Sequence, residues 1–197
     1  MNAHECPHIC DECAKTLPYN KEPVSLMEKK QKQYFYKAYS AFKYEQPVVD
    51  LILSLKYSDN GEAAEALAVF MKEALQNTAI QDAVLIPVPL HRRRYKKRGY
   101  NQAALLAQEI ARLTGYNINE KIISRIKETK VQKEMDAKER AKNLRGVFEV
   151  IDKEAIKEKD IILIDDVFTS GSTVNECARV LRKAGARQVE VLTAARV

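Results

Sequence analysis

No apolar run in the 197 residues approaches the length needed to cross a bilayer, so membrane insertion is not expected of them. The start, Met1-Asn2-Ala3-His4-Glu5-Cys6, has no basic region leading into an apolar one. It is therefore not read as a signal peptide, and the cytoplasm is the expected compartment. Cysteine is scarce: Cys6, Cys10 and Cys13 lie close together and Cys177 stands alone, which in a cytosolic chain is no disulfide framework. The cluster raises a metal question instead. Cys10 and Cys13 have the C-x2-C spacing of zinc ribbons, with Cys6, His8 and His4 near enough to add ligands, but the second C-x2-C pair of a full ribbon is missing. Two readings stand: a tetrahedral zinc site from Cys6, Cys10, Cys13 and a histidine, taken as His8, or a half-site that binds zinc weakly or with help from another chain. No internal repeat is visible. The length supports one good core with a small appendage.

What is present is organised around residues 161–173. Ile161-Ile162-Leu163-Ile164 is a short apolar run bounded by charge, the pattern of a strand buried on both faces of a parallel sheet. It stops at Asp165 and Asp166, followed by a loop of Thr169, Ser170, Gly171, Ser172 and Thr173. Val174 to Ala184 reads as a helix with Gly185 as its stop. Such a loop offers hydroxyls, backbone N–H groups and a helix N-terminus to a phosphate, and the two carboxylates beside it suit the vicinal hydroxyls of a ribose. Singly, each of these residues is as well explained as an ordinary helix cap; their order together favours the phosphate cradle.

Elsewhere, Tyr34 to Tyr44 interleaves aromatic rings with lysines, as a strand or hairpin with one face in the core or as a platform for single-stranded nucleic acid. Gln46–Tyr57 and Glu62–Gln76 show helical faces, separated by Asn60-Gly61. Val84 to Leu90 is a second buried strand, ended by Pro87 and Pro89. It runs into the basic loop His91-Arg92-Arg93-Arg94-Tyr95-Lys96-Lys97-Arg98, the densest positive charge in a chain of net charge +6. A charge run is often only a solvated face, but one at the end of a strand lies where the ligand crevice of an α/β sheet opens. Asn101 caps a helix from Gln102 to Leu113. Ile122-Ile123 and Phe148–Ile151 read as short strands, 124–132 as a mobile loop and 136–144 as a helix, before a last strand from Val189 to Ala195. The alternation gives an α/β class with a mostly parallel sheet flanked by helices.

The 161–173 segment resembles the signature for phosphoribosyl pyrophosphate (PRPP) in type I phosphoribosyltransferases. With Pro-Val-Pro-Leu at 87–90, Arg-Gly-Tyr-Asn-Gln-Ala at 98–103, and Arg125, Thr129, Gln132, Arg140, Asn143-Leu144 and Phe148 in order, the chain is similar to the ComF family of competence-associated phosphoribosyltransferase-like proteins. The resemblance implies a cysteine-rich, degenerate zinc-finger segment with the aromatic strand in 1–45 and a transferase-like domain in 46–197. It implies that Asp165 and Asp166 hold the ribose, 169–173 the 5′-phosphate, and Pro87, Val88, Pro89, Leu90 and His91 the pyrophosphate. By the same resemblance Arg98, Arg125, Thr129, Gln132 and Arg140 fall in the family's flexible-loop and basic segments, with Arg125 to Gln132 as the closing loop. Mg2+ and, at the cysteines, Zn2+ are the implied metals. PRPP, single-stranded DNA, a competence helicase and a second copy are the implied partners, without membrane insertion.

Two functions follow from this. In one, a nitrogen nucleophile displaces pyrophosphate from C1 of PRPP through an oxocarbenium-like transition state. In the other, the chain is a non-catalytic, PRPP-responsive single-stranded-DNA-binding factor in transformation. On that reading Arg92, Arg93, Arg94, Lys96 and Lys97 meet the nucleic acid. No acceptor pocket and no glutamine-hydrolysing domain is recognisable, so turnover is left open.

Overall fold

The structure is a computed structural model that describes residues 8–20, 32–57, 61–76, 78, 80, 82–127 and 143–197. Five parallel strands form one sheet: β1 (Ala38–Lys43), β2 (Ala83–Pro87), β3 (Asn117–Ile118), β6 (Asp160–Phe168) and β7 (Gln188–Arg196), in the spatial order β1-β7-β6-β2-β3. A separate antiparallel hairpin joins β4 (Ile123–Arg125) to β5 (Phe148–Val150). The helices are α1 (Asp11–Thr16), α2 (Val48–Tyr57), α3 (Gly61–Leu75), α4 (Arg92–Arg98), α5 (Gln102–Thr114) and α6 (Ser172–Lys183).

Up to Asp166 the two-residue period of β6 distributes its side chains between two cores; past it the alternation breaks, with Val167 on the first face and Phe168 on the second. Ile162 and Ile164 pack with α2, α3 and α5 on one face, where Ile52, Leu55, Leu67, Met71, Leu106 and Ile110 are fully buried. Ile161, Leu163 and Phe168 pack with α6 and the β4–β5 hairpin on the other, against Cys177, Ala178, Leu181 and Phe148. A strand covered on both faces has no polar side to show, which is why the run reads as continuously apolar.

The aromatic stretch expected as a strand or hairpin is the edge strand β1, paired along β7 from Ala38↔Val191 to Lys43↔Arg196. Its outer side is covered by residues 18–20: Lys43 N–H donates to Pro18 O at 2.8 Å, Asn20 N–H to Ala41 O at 2.9 Å, and Tyr19 bridges Phe42 antiparallel. Asn175 of α6 ties down the approach to β1, accepting from Tyr34 N–H at 2.8 Å and donating to Lys32 O at 3.0 Å.

The chain leaves β2 toward β3 through α4 and α5, and leaves β6 in the opposite direction toward β7 through α6. Between the carboxyl ends of β2 and β6 the connections therefore diverge, and an open α/β sheet forms its ligand crevice at such a point.

Candidate functional site

Both diverging loops carry the residues singled out from the sequence. The strand expected to stop at Ile164 continues through Phe168, with Asp165 paired to Thr193 and Phe168 to Arg196. The aspartates thus sit inside the strand, and alternation alone would send them to opposite faces. Asp166 accordingly meets Lys56 of α2, while Asp165 lies toward Cys177 of α6 and accepts the N–H of Asp166 at 2.9 Å. Burial and then the neighbouring Asp166 charge push the Asp165 carboxyl well above the usual carboxylate range. Burial also pushes Asp166 upward, but the Lys56 ammonium and the contact with Asp165 outweigh it and hold Asp166 below that range. Lys56 Nζ stands 2.5 Å from Asp166 Oδ2. The two carboxyls are thus pushed in opposite directions, and Asp166 is held by a lysine that sequence reasoning gave no role.

Beyond the aspartates, Gly171 takes a left-handed conformation, φ +74°, directly before α6. That turn is open to glycine at little cost, and it folds the hydroxyl loop over the helix start. Ser170 and Ser172 are buried, with their hydroxyls 2.9 Å apart, while Thr169 is exposed and Thr173 half-buried. Beneath the loop lies Cys177, whose thiol is pushed well up by burial and then by Asp165; it stays protonated and acts as a packed apolar group.

Across the switch point, Pro87 pairs with Ile164, Val88 N–H donates to Ile164 O at 2.9 Å, and Asn101 Nδ2 donates to Val88 O at 3.1 Å. The loop from Pro87 through Pro89 and Leu90 to His91 is thereby fixed against β6. The basic run that follows is not a loop but the helix α4. His91 caps it by accepting from Arg93 N–H, and Gly99 ends it with φ +87°. With basic side chains on every side it has no apolar stripe, and all of its residues are exposed or half-exposed. Asn101 caps α5 as expected, accepting from Ala103 N–H at 3.2 Å.

Beside Asp166 lies a cleft of about 840 Å³, lined by Lys56, Tyr57, Leu90, Arg94, Lys97, Arg98, Tyr100, Gln102 and Asp166; Asp165 and residues 169–173 are not part of that lining. Four cations face one carboxylate. Arg98 hydrogen-bonds Gln102 and lies 5.6 Å over the Tyr57 ring, whereas Arg94 and Lys97 have neither hydrogen bond nor ion pair among the described residues. Arg92, Arg93 and Lys96 do not line the cleft. Arg125 sits in β4, stacked 5.5 Å over Phe148, on the side of Cys177 and outside the cleft lining. Thr129, Gln132 and Arg140, with the rest of the expected loop and most of the helix after it, lie outside the described residues.

At the other end of the molecule, Cys10 Sγ accepts from Cys13 N–H at 3.5 Å. That bond lowers the Cys10 thiol, and Cys10 in turn raises Cys13. His8 Nε2 is engaged by Glu65 of α3 at 3.0 Å. Cys6 lies outside the described residues, and among those described no group of three His, Cys, Asp or Glu side chains could hold a metal ion.

The family model described as "Phosphoribosyl transferase domain" matches residues 57–197. Competence protein F of Haemophilus influenzae is 35% identical over 160 residues, covering 78% of this chain and 69% of that protein. DNA utilization protein YhgH of Salmonella typhimurium is 34% identical over 153 residues, covering 75% and 66%. The chain thus spans about two thirds of the length of these curated relatives. Among solved structures, an allosteric regulatory enzyme of purine biosynthesis matches at 18% identity and a TM-score of 0.46, over 72% of this chain and 30% of that one.

Proposed function

Because the chain belongs to the phosphoribosyl transferase domain family, alongside the competence protein F and YhgH relatives, we propose that its cleft binds PRPP as the Mg2+ complex and displaces pyrophosphate from it. The observation that carries this reading is Asp166 lining one cleft with Lys56, Arg94, Lys97 and Arg98, next in the chain to Asp165 and three residues before the hydroxyl loop 169–173.

In this scheme Asp166, ionised, and Asp165, with its raised affinity for a proton, take the two ribose hydroxyls as acceptor and donor. Ser170, Ser172, Thr173 and the first N–H groups of α6 take the 5′-phosphate. Arg94 and Lys97 meet the pyrophosphate, with Leu90 and His91 at the rim. The transition state at C1 needs the sugar oriented and the leaving charge neutralised, and little covalent help. Cys177, protonated and buried, supplies none. Mg2+ would enter as part of the substrate, since pyrophosphate oxygens suit a hard cation.

Calorimetry with Mg-PRPP, followed by assay of pyrophosphate release with candidate bases and amines, tests both halves of the proposal. No binding overturns the ligand. Binding without release from any acceptor overturns catalysis and leaves the second reading, an effector-controlled factor for single-stranded DNA. That alternative is favoured by the cations outside the cleft, Arg92, Arg93 and Lys96, beside a Tyr95 ring that is 51% exposed. On either reading the proposed compartment is the cytoplasm, with a competence helicase and a second copy of the chain as further partners. Zinc at Cys6, Cys10 and Cys13 is a separate proposal, and metal analysis of the purified chain decides it.

A further inference from the structure

Lys56 occupies the last turn of α2, where a cation complements the helix dipole and by itself signals nothing. Its neighbours, however, are both clamped. The Leu55 carbonyl accepts the Tyr100 hydroxyl at 2.8 Å, and Arg98 covers the Tyr57 ring. Both clamps come from the end of α4 and the turn before α5, so the last turn of α2 is joined to the basic wall of the cleft. Between them Lys56 reaches Asp166, and the two side chains are 21% and 9% exposed.

The surroundings of Asp166 are unequal. From α2 it meets Lys56, and across the cleft lie Arg94, Lys97 and Arg98 of α4. The adjacent Asp165 looks toward Cys177 of α6, in the neighbourhood of Glu176 and Arg125, and α5 contributes only the neutral Gln102 to the lining. A nearly buried ion pair is costly to break one-sidedly, because either charge left behind is stranded. A ligand that takes the carboxylate with hydroxyl groups must therefore bring an anion for the ammonium.

We propose that Lys56 is a partner-exchanging residue: as the ligand enters, its ammonium passes from Asp166 to the pyrophosphate while the ribose hydroxyls take over the carboxylate. The inference rests on the PRPP reading above and adds a selectivity to it. A ribose phosphate without pyrophosphate offers Lys56 no second anion, so the exchange does not occur and such sugars are discriminated against.

The test is calorimetry on the full chain with three ligands, Mg-PRPP, inorganic pyrophosphate and ribose 5-phosphate, against K56M, K56R, D166N and the K56M/D166N double variant. In K56M, affinity for PRPP and for pyrophosphate should fall about tenfold or more, and affinity for ribose 5-phosphate by less than about threefold. Arginine at 56 should retain both diphosphate affinities within about threefold, since it keeps the charge. D166N releases the ammonium and should tighten pyrophosphate binding about tenfold, a gain that shrinks below about threefold once Lys56 is also replaced. Equal losses for all three ligands in K56M, or equal gains from D166N in both backgrounds, would mean a purely structural ion pair and overturn the exchange. If K56M fails to fold, K56M/D166N strands no charge, and its comparison with D166N still decides. If the variants show these pyrophosphate shifts but the wild type does not bind PRPP, the PRPP reading falls while the exchange stands for another diphosphate.

Discussion

On one side of the cleft Asp166 lines it, and Asp166 with the neighbouring Ser170 and Ser172 is buried in a strand and a helix packed against neighbours on both sides. On the other wall, no residue of α4 is buried, and Arg94 and Lys97 have no hydrogen-bond or ion-pair partner among the described residues. The first wall is core that happens to end in polar groups. Its geometry is fixed before any ligand arrives, as recognition of a diol and a single phosphate demands. The second wall is charge on flexible stems, held only by a His91 cap, a Gly99 stop and the Tyr100 and Arg98 contacts. It can follow a polyanion of varied shape. Substitutions on the first wall should move stability and binding together, and those on the second should move binding alone.

The sharpest way to break this contrast is D165N with D166N. Mg-PRPP affinity should drop by about a hundredfold or more while circular dichroism shows an intact fold, since two ribose contacts are lost at once. Retained affinity removes the aspartates from the site. Leu163→Ala, in the same strand but wholly in the core, should cost about 2–5 kcal/mol in denaturant unfolding. By contrast, R94A with K97A should leave the melting temperature within about 1–2 °C and weaken pyrophosphate about tenfold. A comparable fall in stability would mean that α4 is structural after all. Charge reversal at Arg92, Arg93 and Arg94 should weaken single-stranded DNA and flatten, not steepen, its dependence on salt; unchanged affinity would make the run a solvated face.

The smallest effect is a pH dependence. Asp165 has a raised folded-state pKa, so its contribution to stability is full below the ordinary aspartate range and is lost as pH rises through the folded value. Melting curves of D165N should therefore gain on the wild type as pH goes from about 4 to 8. Asp166 has the opposite sign, its contribution being present above the ordinary range and lost as pH falls through its depressed value, so D166N should lose ground on the wild type as pH rises from about 2 to 4 and stay level above that.

What was legible in the sequence tracks how local the cause is. β6 and β7 announce themselves as apolar runs because both faces are covered, and α5 because Asn101 and Gly115 punctuate a buried stripe. The hydroxyl loop was readable for the same reason, its chemistry being consecutive in the chain. The helical state of α4 was not, because its stops are a histidine cap and one glycine around residues with no apolar face. Lys56 escaped because its meaning depends on Asp166, 110 positions away, and on clamps from Tyr100 and Arg98. Arg125 illustrates the converse: its place in a motif did not reveal that the strand pairing of β4 would lay it on Phe148.

The strip of chain at Pro18–Asn20 along β1 bears on self-association. An uncovered edge strand is a template for the next chain, and here the two ends of the sheet are blunted by different means. At β1 the outward amide of Lys43 and the carbonyl of Ala41 are already taken by Pro18 and Asn20, with Tyr19 laid across Phe42. At β3 only Asn117 and Ile118 belong to the ladder, too little to guide an incoming strand. A neighbour trying to continue this sheet would have to peel residues 18–20 away first.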